Sequence, residues 1–222
     1  MPSANRAISS GVATGSVNGS SAAFEGEARP HQNPHDGLAH IPGEPGTWIF
    51  IFGDMCVFAV LFCAFLRVRA VDRAAFAVSQ AKLDVDLGAI NTVLLLVSSL
   101  FLVLAMRAVR SAAVRARAPL FILAAWLCGV AFLAIKAWEY SEKIGENITP
   151  QTNDFFMYYF VLTGLHAIHL LLGLGVLPAV LKLARKPVMT DGERKLFEGG
   201  VCFWHMVDLL WVILFALIFL VR

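Results

Sequence analysis

An all-α integral membrane protein, a bundle of five transmembrane helices, is the fold class that the sequence predicts. Three observations carry this expectation. Of the 222 residues, 58% are hydrophobic and only 15% charged, and mean hydropathy is +0.70, a balance with too little charge to cover a soluble surface. The apolar residues gather into five long runs, and a bilayer core of about 30 Å takes roughly 20 apolar residues per helical crossing. Little chain is left between the runs, so no separate soluble domain is expected.

Two regions are expected along the chain. Residues 1–45 are rich in Gly, Ser, Ala, Asn and Pro and hold no apolar run, which reads as a disordered tail. No charged segment leads into a hydrophobic one there, so a signal peptide is not expected. His31, His35 and His40 lie in this tail beside Asp36 at loose spacing, where a solvated tail is a plainer reading than a metal site. Residues 46–222 form the five-helix domain, with spans at about 46–66, 87–108, 119–140, 155–181 and 200–221. Gly46 and Pro119 open the first and third as ordinary helix punctuation. Pro178 is expected to bend or end the fourth. Trp48, Trp138 and Tyr140 fall where an interfacial aromatic belt would place them.

Charge sets the expected orientation. Eleven basic residues (Arg6 and Arg29; Arg107, Arg110, Arg115 and Arg117; Lys182, Arg185, Lys186, Arg194 and Lys195) belong to one side. Six (Arg67, Arg69, Arg73, Lys82, Lys143 and Arg222) belong to the other. The positive-inside rule then puts the N-terminus inside and the C-terminus outside. The net charge of +2 carries no message about partners, and no nucleic acid is expected among them. Cys56, Cys63, Cys128 and Cys202 occur singly, without zinc or redox spacing, and read as small buried hydrophobes.

Ionisable groups inside hydrocarbon are costly and draw attention as functional candidates. Asp54 lies in span one and Glu139 closes span three. His166 and His169 share a face of span four, and His205 and Asp208 repeat that spacing in span five after Glu198. At about 1.5 Å per residue, Asp54 is roughly 12 Å from the inner surface, and His205 and Asp208 roughly 8 to 12 Å. His169 reaches the same half from the other side, so Asp54, His169, His205 and Asp208 are expected to meet. Glu139 is expected near the outer interface and Lys136 to snorkel outward. Three readings suit the cluster: a zinc or iron site, a proton path using a histidine that titrates near neutrality, or interhelical hydrogen bonds. The last is the plainest. A di-iron bundle would need Glu-x-x-His pairs, which the chain lacks. Trp204 and Trp211, seven apart in span five, are expected to pack against a neighbouring helix or lipid.

Four segments together resemble one family. FEGGVCFWHMVDLLWVILF (residues 197–215) resembles the W-H-(F/M)-V-D-x-x-W signature of subunit III of cytochrome c oxidase. GLHAIHLLLG (residues 164–173) is similar to that family's G-x-H-x-x-H-x-x-x-G. LLLVSSL after Asn91 and Thr92 resembles L-N-T-x-x-L-L-x-S-S, and GVAFLAIKAWEY (residues 129–140) resembles its Glu-Tyr segment. The order and spacing match over residues 46–221. The long form of the family has seven spans, and this chain would be a short bacterial form without the first two. Asp54 stands where the family usually has a membrane Glu. The opening HIPGEPGTWIFIFGDM looks more like relatives associated with bacterial nitric oxide reduction.

The resemblance implies a non-catalytic subunit of a haem–copper respiratory oxidase in a bacterial plasma membrane. It also implies haem and copper in the partner subunits I and II, none in this chain, and bound phospholipid. By the same resemblance Asp54 supports proton uptake, while His166, His169, Glu198, His205, Asp208 and Glu139 form a structural polar cluster. An accessory subunit of a nitric oxide reductase is the alternative partner reading. A stand-alone membrane metalloenzyme using the His/Asp cluster is the alternative of another class. A transporter would be expected to show internal repeats and broken helices, which the sequence does not.

Overall fold

The computed structural model describes residues 45–111 and 113–221. The N-terminal tail, with His31, His35, Asp36 and His40, lies outside the described residues. In chain order the helices are α1 (Pro45–Val71), α2 (Arg73–Gln80), α3 (Val85–Arg110), α4 (Ala118–Gly145), α5 (Asp154–Ala184) and α6 (Asp191–Phe215). A 3₁₀ turn at Arg115–Arg117 leads into α4, and a π turn at Ala216–Leu220 continues α6. All but α2 are long and apolar enough to cross a membrane. These five are the expected spans.

Polar caps set where most of the helices begin. The Asp84 carboxylate accepts from the backbone N–H groups of Asp86 (2.9 Å) and Leu87 (3.2 Å) to start α3, and Asn153 accepts from Phe156 (2.9 Å) to start α5. Such bonds satisfy donors that have no partner within the first turn. α6 begins at Asp191, well before the expected Gly200. Thr190 accepts from the Glu193 backbone (3.3 Å) while the Glu193 carboxylate accepts from the Thr190 backbone (3.0 Å). That reciprocal cap starts the helix in a charged stretch that hydropathy alone leaves out. α5 runs past Pro178 to Ala184, so the proline does not end it.

Helix α2 was not expected. Asp72 caps it by accepting from Ala75 N–H at 3.0 Å, and it turns Phe76, Ser79 and Gln80 inward. The Phe76 ring meets Phe65 of α1 at 5.7 Å and Phe155 of α5 at 5.5 Å. The Gln80 amide donates to the carbonyls of Ile218 (2.9 Å) and Val221 (3.0 Å), satisfying acceptors at the end of α6.

Helix α6 is the centre of the bundle. It packs against α5, α3 and α1, while α3 and α4 run together and α4 lies on α5. Of its membrane window 56% is buried, against 17% for α1, which has the most open face. Trp204 is fully buried and sits against two glycines. A Cβ on Gly129 would fall 2.7 Å from its ring, and one on Gly173 would fall 2.9 Å away. Small residues at such crossings let helices approach closely. Two expectations about the surface change. Cys56 and Cys63 are exposed and Cys128 and Cys202 half-buried, since hydrocarbon around a bundle suits a thiol as well as a core does. Trp138 is exposed, but Tyr140 turns inward to share a 2.5 Å hydrogen bond with the Thr163 hydroxyl.

Candidate functional site

Asp54 of α1 meets His169 of α5, with Oδ1 and Nε2 3.0 Å apart. The other ring nitrogen, Nδ1, lies 2.8 Å from the Leu165 carbonyl on its own helix. A carbonyl only accepts, so Nδ1 carries a proton and donates. A hydrogen bond between Nε2 and Oδ1 at that distance needs one further proton, carried by the ring or by the acid. The Phe58 ring closes over the histidine edge at 5.4 Å. Both side chains stay slightly open, 13% for Asp54 and 11% for His169.

His205 and Asp208 belong to a different contact. His205 Nδ1 lies 2.6 Å from the Ser99 hydroxyl of α3. Asp208 is buried beside the same serine, and neither of its carboxylate oxygens makes a geometrically sound hydrogen bond. Two indoles staple the same pair of helices. Trp204 Nε1 donates to Ser98 Oγ (3.0 Å) and Trp211 Nε1 donates to Thr92 Oγ1 (3.1 Å). Ser98 in turn donates to the Ala125 carbonyl of α4 (3.1 Å). The expected single cluster is therefore corrected to two. Asp54 and His169 join α1 to α5, and His205 with Asp208 faces α3. Helical spacing gives a residue's depth, but rotation about the helix axis decides which neighbour it meets.

A third constellation was read differently from the sequence. Lys136 does not snorkel outward. It is 5% exposed, and Glu139 beside it 1% exposed. Lys136 Nζ donates to Glu139 Oε2 at 2.8 Å, and the Tyr159 hydroxyl donates to Glu139 Oε1 at 2.6 Å. The ammonium also lies 4.9 Å from the Trp211 ring centre and 5.4 Å from those of Tyr159 and Phe219, the geometry of cation–π contact. Glu139 is therefore inside the bundle, whatever its depth. His166 is fully buried with no hydrogen bond at either ring nitrogen. It packs 5.7 Å from Phe132 and 5.2 Å from Trp211, as an aromatic filler and not as a hydrogen-bonding staple.

Glu198 sits at the start of α6 and takes Arg110 of α3 at 3.5 Å. Among the described residues, no three His, Cys, Asp or Glu side chains are grouped to hold a metal ion. Sequence reasoning missed Ser99 and Tyr159 as partners. The spacing of Lys136 and Glu139, one turn apart on a helix, was a readable sign that the lysine had a partner.

A family model described as cytochrome c oxidase subunit III matches residues 32–221. The chain belongs to the cytochrome c oxidase subunit III family. As a subunit III it is a non-catalytic part of a haem–copper oxidase. It is 28% identical to the cytochrome bo(3) ubiquinol oxidase subunit 3 of Buchnera aphidicola subsp. Acyrthosiphon pisum, over 86% of this chain and 92% of that one. It is 31% identical to the cytochrome c oxidase subunit 3 of Alkalihalophilus pseudofirmus, over 79% and 84% of the two chains. The quinol oxidase subunit 3 of Bacillus subtilis is 27% identical, over 79% and 85%. These names divide between quinol and cytochrome c oxidases, and they lend no support to the nitric oxide reductase alternative.

Proposed function

We propose that this subunit III supports proton uptake by the oxidase it joins, with Asp54 and His169 as the proton-holding pair. The haem and copper centres belong to the catalytic subunit I and to subunit II, and the complex sits in a bacterial plasma membrane with lipid around α1. The excess of basic residues on the α3–α4 and α5–α6 connections favours an N-terminus inside and a C-terminus outside. Whether a quinol or cytochrome c supplies electrons is a property of those partner subunits.

One observation carries the reading. Asp54 Oδ1 and His169 Nε2 lie 3.0 Å apart, two groups of which each can bear a proton, at a partly open position between α1 and α5. A purely structural staple needs only a donor and an acceptor. A proton reservoir needs both groups titratable. Asp54→Asn separates these roles, because the amide still bonds to the ring but cannot take up the proton. The expected outcome is an assembled complex with a normal haem spectrum whose oxygen consumption declines during sustained turnover. The decline should be steepest at alkaline pH, where bulk protons are scarce. Normal assembly with undiminished turnover from neutral to alkaline pH would make the pair a staple only.

A further inference from the structure

Around the Trp211 ring, enclosed polar groups keep hydrogen-bonding capacity that no protein atom uses. His166 is fully buried, and neither ring nitrogen has a protein partner. A neutral imidazole carries one donor and one acceptor, so both go unused. Asn91 of α3 is equally buried, with its amide oxygen and nitrogen both unmet. The Lys136 ammonium has three N–H bonds and spends one of them on Glu139. The Trp211 indole lies 5.2 Å from His166 and 4.9 Å from the Lys136 ammonium. Its N–H goes to Thr92, the residue after Asn91. The neighbouring hydroxyls are already engaged. Tyr159 donates to Glu139, and the Thr163 hydroxyl donates to the Tyr159 carbonyl and is met by Tyr140. Phe132 beside His166 and Phe219 beside Lys136 have no polar atom to give.

We propose that His166 and Lys136 bind internal water at the Trp211 ring. Buried polar groups are met by protein or by ordered water, and an unmet one forfeits its hydration outright. Water both donates and accepts, so one molecule can take an N–H from Lys136 and give one to the unprotonated nitrogen of His166. An anion is disfavoured because Glu139 already neutralises the ammonium, and a metal cation is repelled by it. An imidazole that only filled space would be less favourable here than a phenyl ring, which strands no polar atom. Lys136 and His169 both act electrostatically on the His166 ring, so this histidine is the side chain common to the Lys136–Glu139 and Asp54–His169 pairs. The water site does not depend on the proton reading of Asp54 and stands equally if that pair only staples α1 to α5.

Hydroxyl-radical footprinting of the complex purified from its native membrane tests the site. X-ray pulses make radicals from water, including water bound inside a protein, so an enclosed residue is labelled only where water touches it. Trp211 and Trp204 are matched probes, 1% and 0% exposed, and each donates its indole N–H to a hydroxyl. Trp204 packs against Gly129 and Gly173, which leave no room for water. Trp211 is therefore expected to be labelled severalfold faster than Trp204. Equal labelling of the two, or labelling of neither, overturns the site. His166→Phe fills similar space without ring nitrogens and is expected to lose most of the Trp211 label. A Trp211 label that persists in this variant while Trp204 stays unlabelled overturns the part assigned to His166. Unfolding of the variant would label Trp204 as well, and the comparison within the parent protein then decides. Asp54→Asn is expected to leave the Trp211 label unchanged whatever it does to turnover, so the two readings fail separately.

Discussion

Lys136 and Glu139 bring two charges into the interior of a helix bundle, and both carboxylate oxygens of the glutamate are met, one by the ammonium and one by the Tyr159 hydroxyl. Removing two ions from water costs several kcal/mol each, and mutual attraction offsets this only with good geometry and full hydrogen bonding. The sharp penalty therefore lies in breaking the pair. Lys136→Ala is expected to lower stability by about 3–5 kcal/mol, because Glu139 is left buried and unpaired. Lys136→Met combined with Glu139→Leu should recover most of that loss. Denaturant unfolding of the detergent-solubilised protein measures both, and a double variant no more stable than Lys136→Ala would contradict the account. The same reasoning separates this pair from Asp54 and His169, whose side chains are 13% and 11% exposed.

The crossing of α4, α5 and α6 is governed by one indole and two glycines. Trp204 occupies the space that Gly129 and Gly173 leave, and a methyl group at either would meet ring carbon at under 3 Å. Gly129→Ala or Gly173→Ala is expected to destabilise the bundle by about 1–3 kcal/mol through overpacking. Gly175 lies on α5 near the second of these, yet a Cβ there would meet nothing within 4 Å. Gly175→Ala should therefore be neutral or stabilising by up to about 1 kcal/mol, the helix propensity difference. Thermal unfolding of the three variants distinguishes a packing requirement from a general intolerance of alanine. The start of α6 is a separate local device. Replacing Thr190 by Ala removes one half of its reciprocal cap and should cost about 1 kcal/mol by the same assay.

For the whole molecule, the five helices long and apolar enough to cross a membrane are expected to leave the two chain ends on opposite sides of it. The basic α3–α4 and α5–α6 connections are expected on one side, and the α2 region and the C-terminus on the other. A reporter fused after Arg222 is expected outside the cytoplasm, and one inserted between Arg185 and Lys195 inside it. Finding both on one side would require a different number of crossings. The purified chain without its partners is expected to show no haem absorption band and no stoichiometric copper, in line with the proposal that those centres belong to subunits I and II. A metal-rich spectrum from the single chain would contradict its place as an accessory subunit.

The sequence by itself determined the class, the number of spans and the family. Hydrocarbon demands long apolar helices with internally satisfied backbones, and that demand is written directly into composition and run length. It also exposed Asp54, His169, His205 and Asp208 as groups that must find partners. Which partners they found was decided only in three dimensions. His169 turned to Asp54 and His205 to Ser99, because the rotation of a helix about its axis is set by packing between segments far apart in the chain. Helix α2 and the early start of α6 escaped hydropathy because local caps, at Asp72 and at Thr190 with Glu193, initiate helices in polar sequence. Lys136 was misplaced for the same physical reason. A lysine's cost in a membrane depends on whether a carboxylate and aromatic faces surround it, and those come from α4, α5 and α6 together.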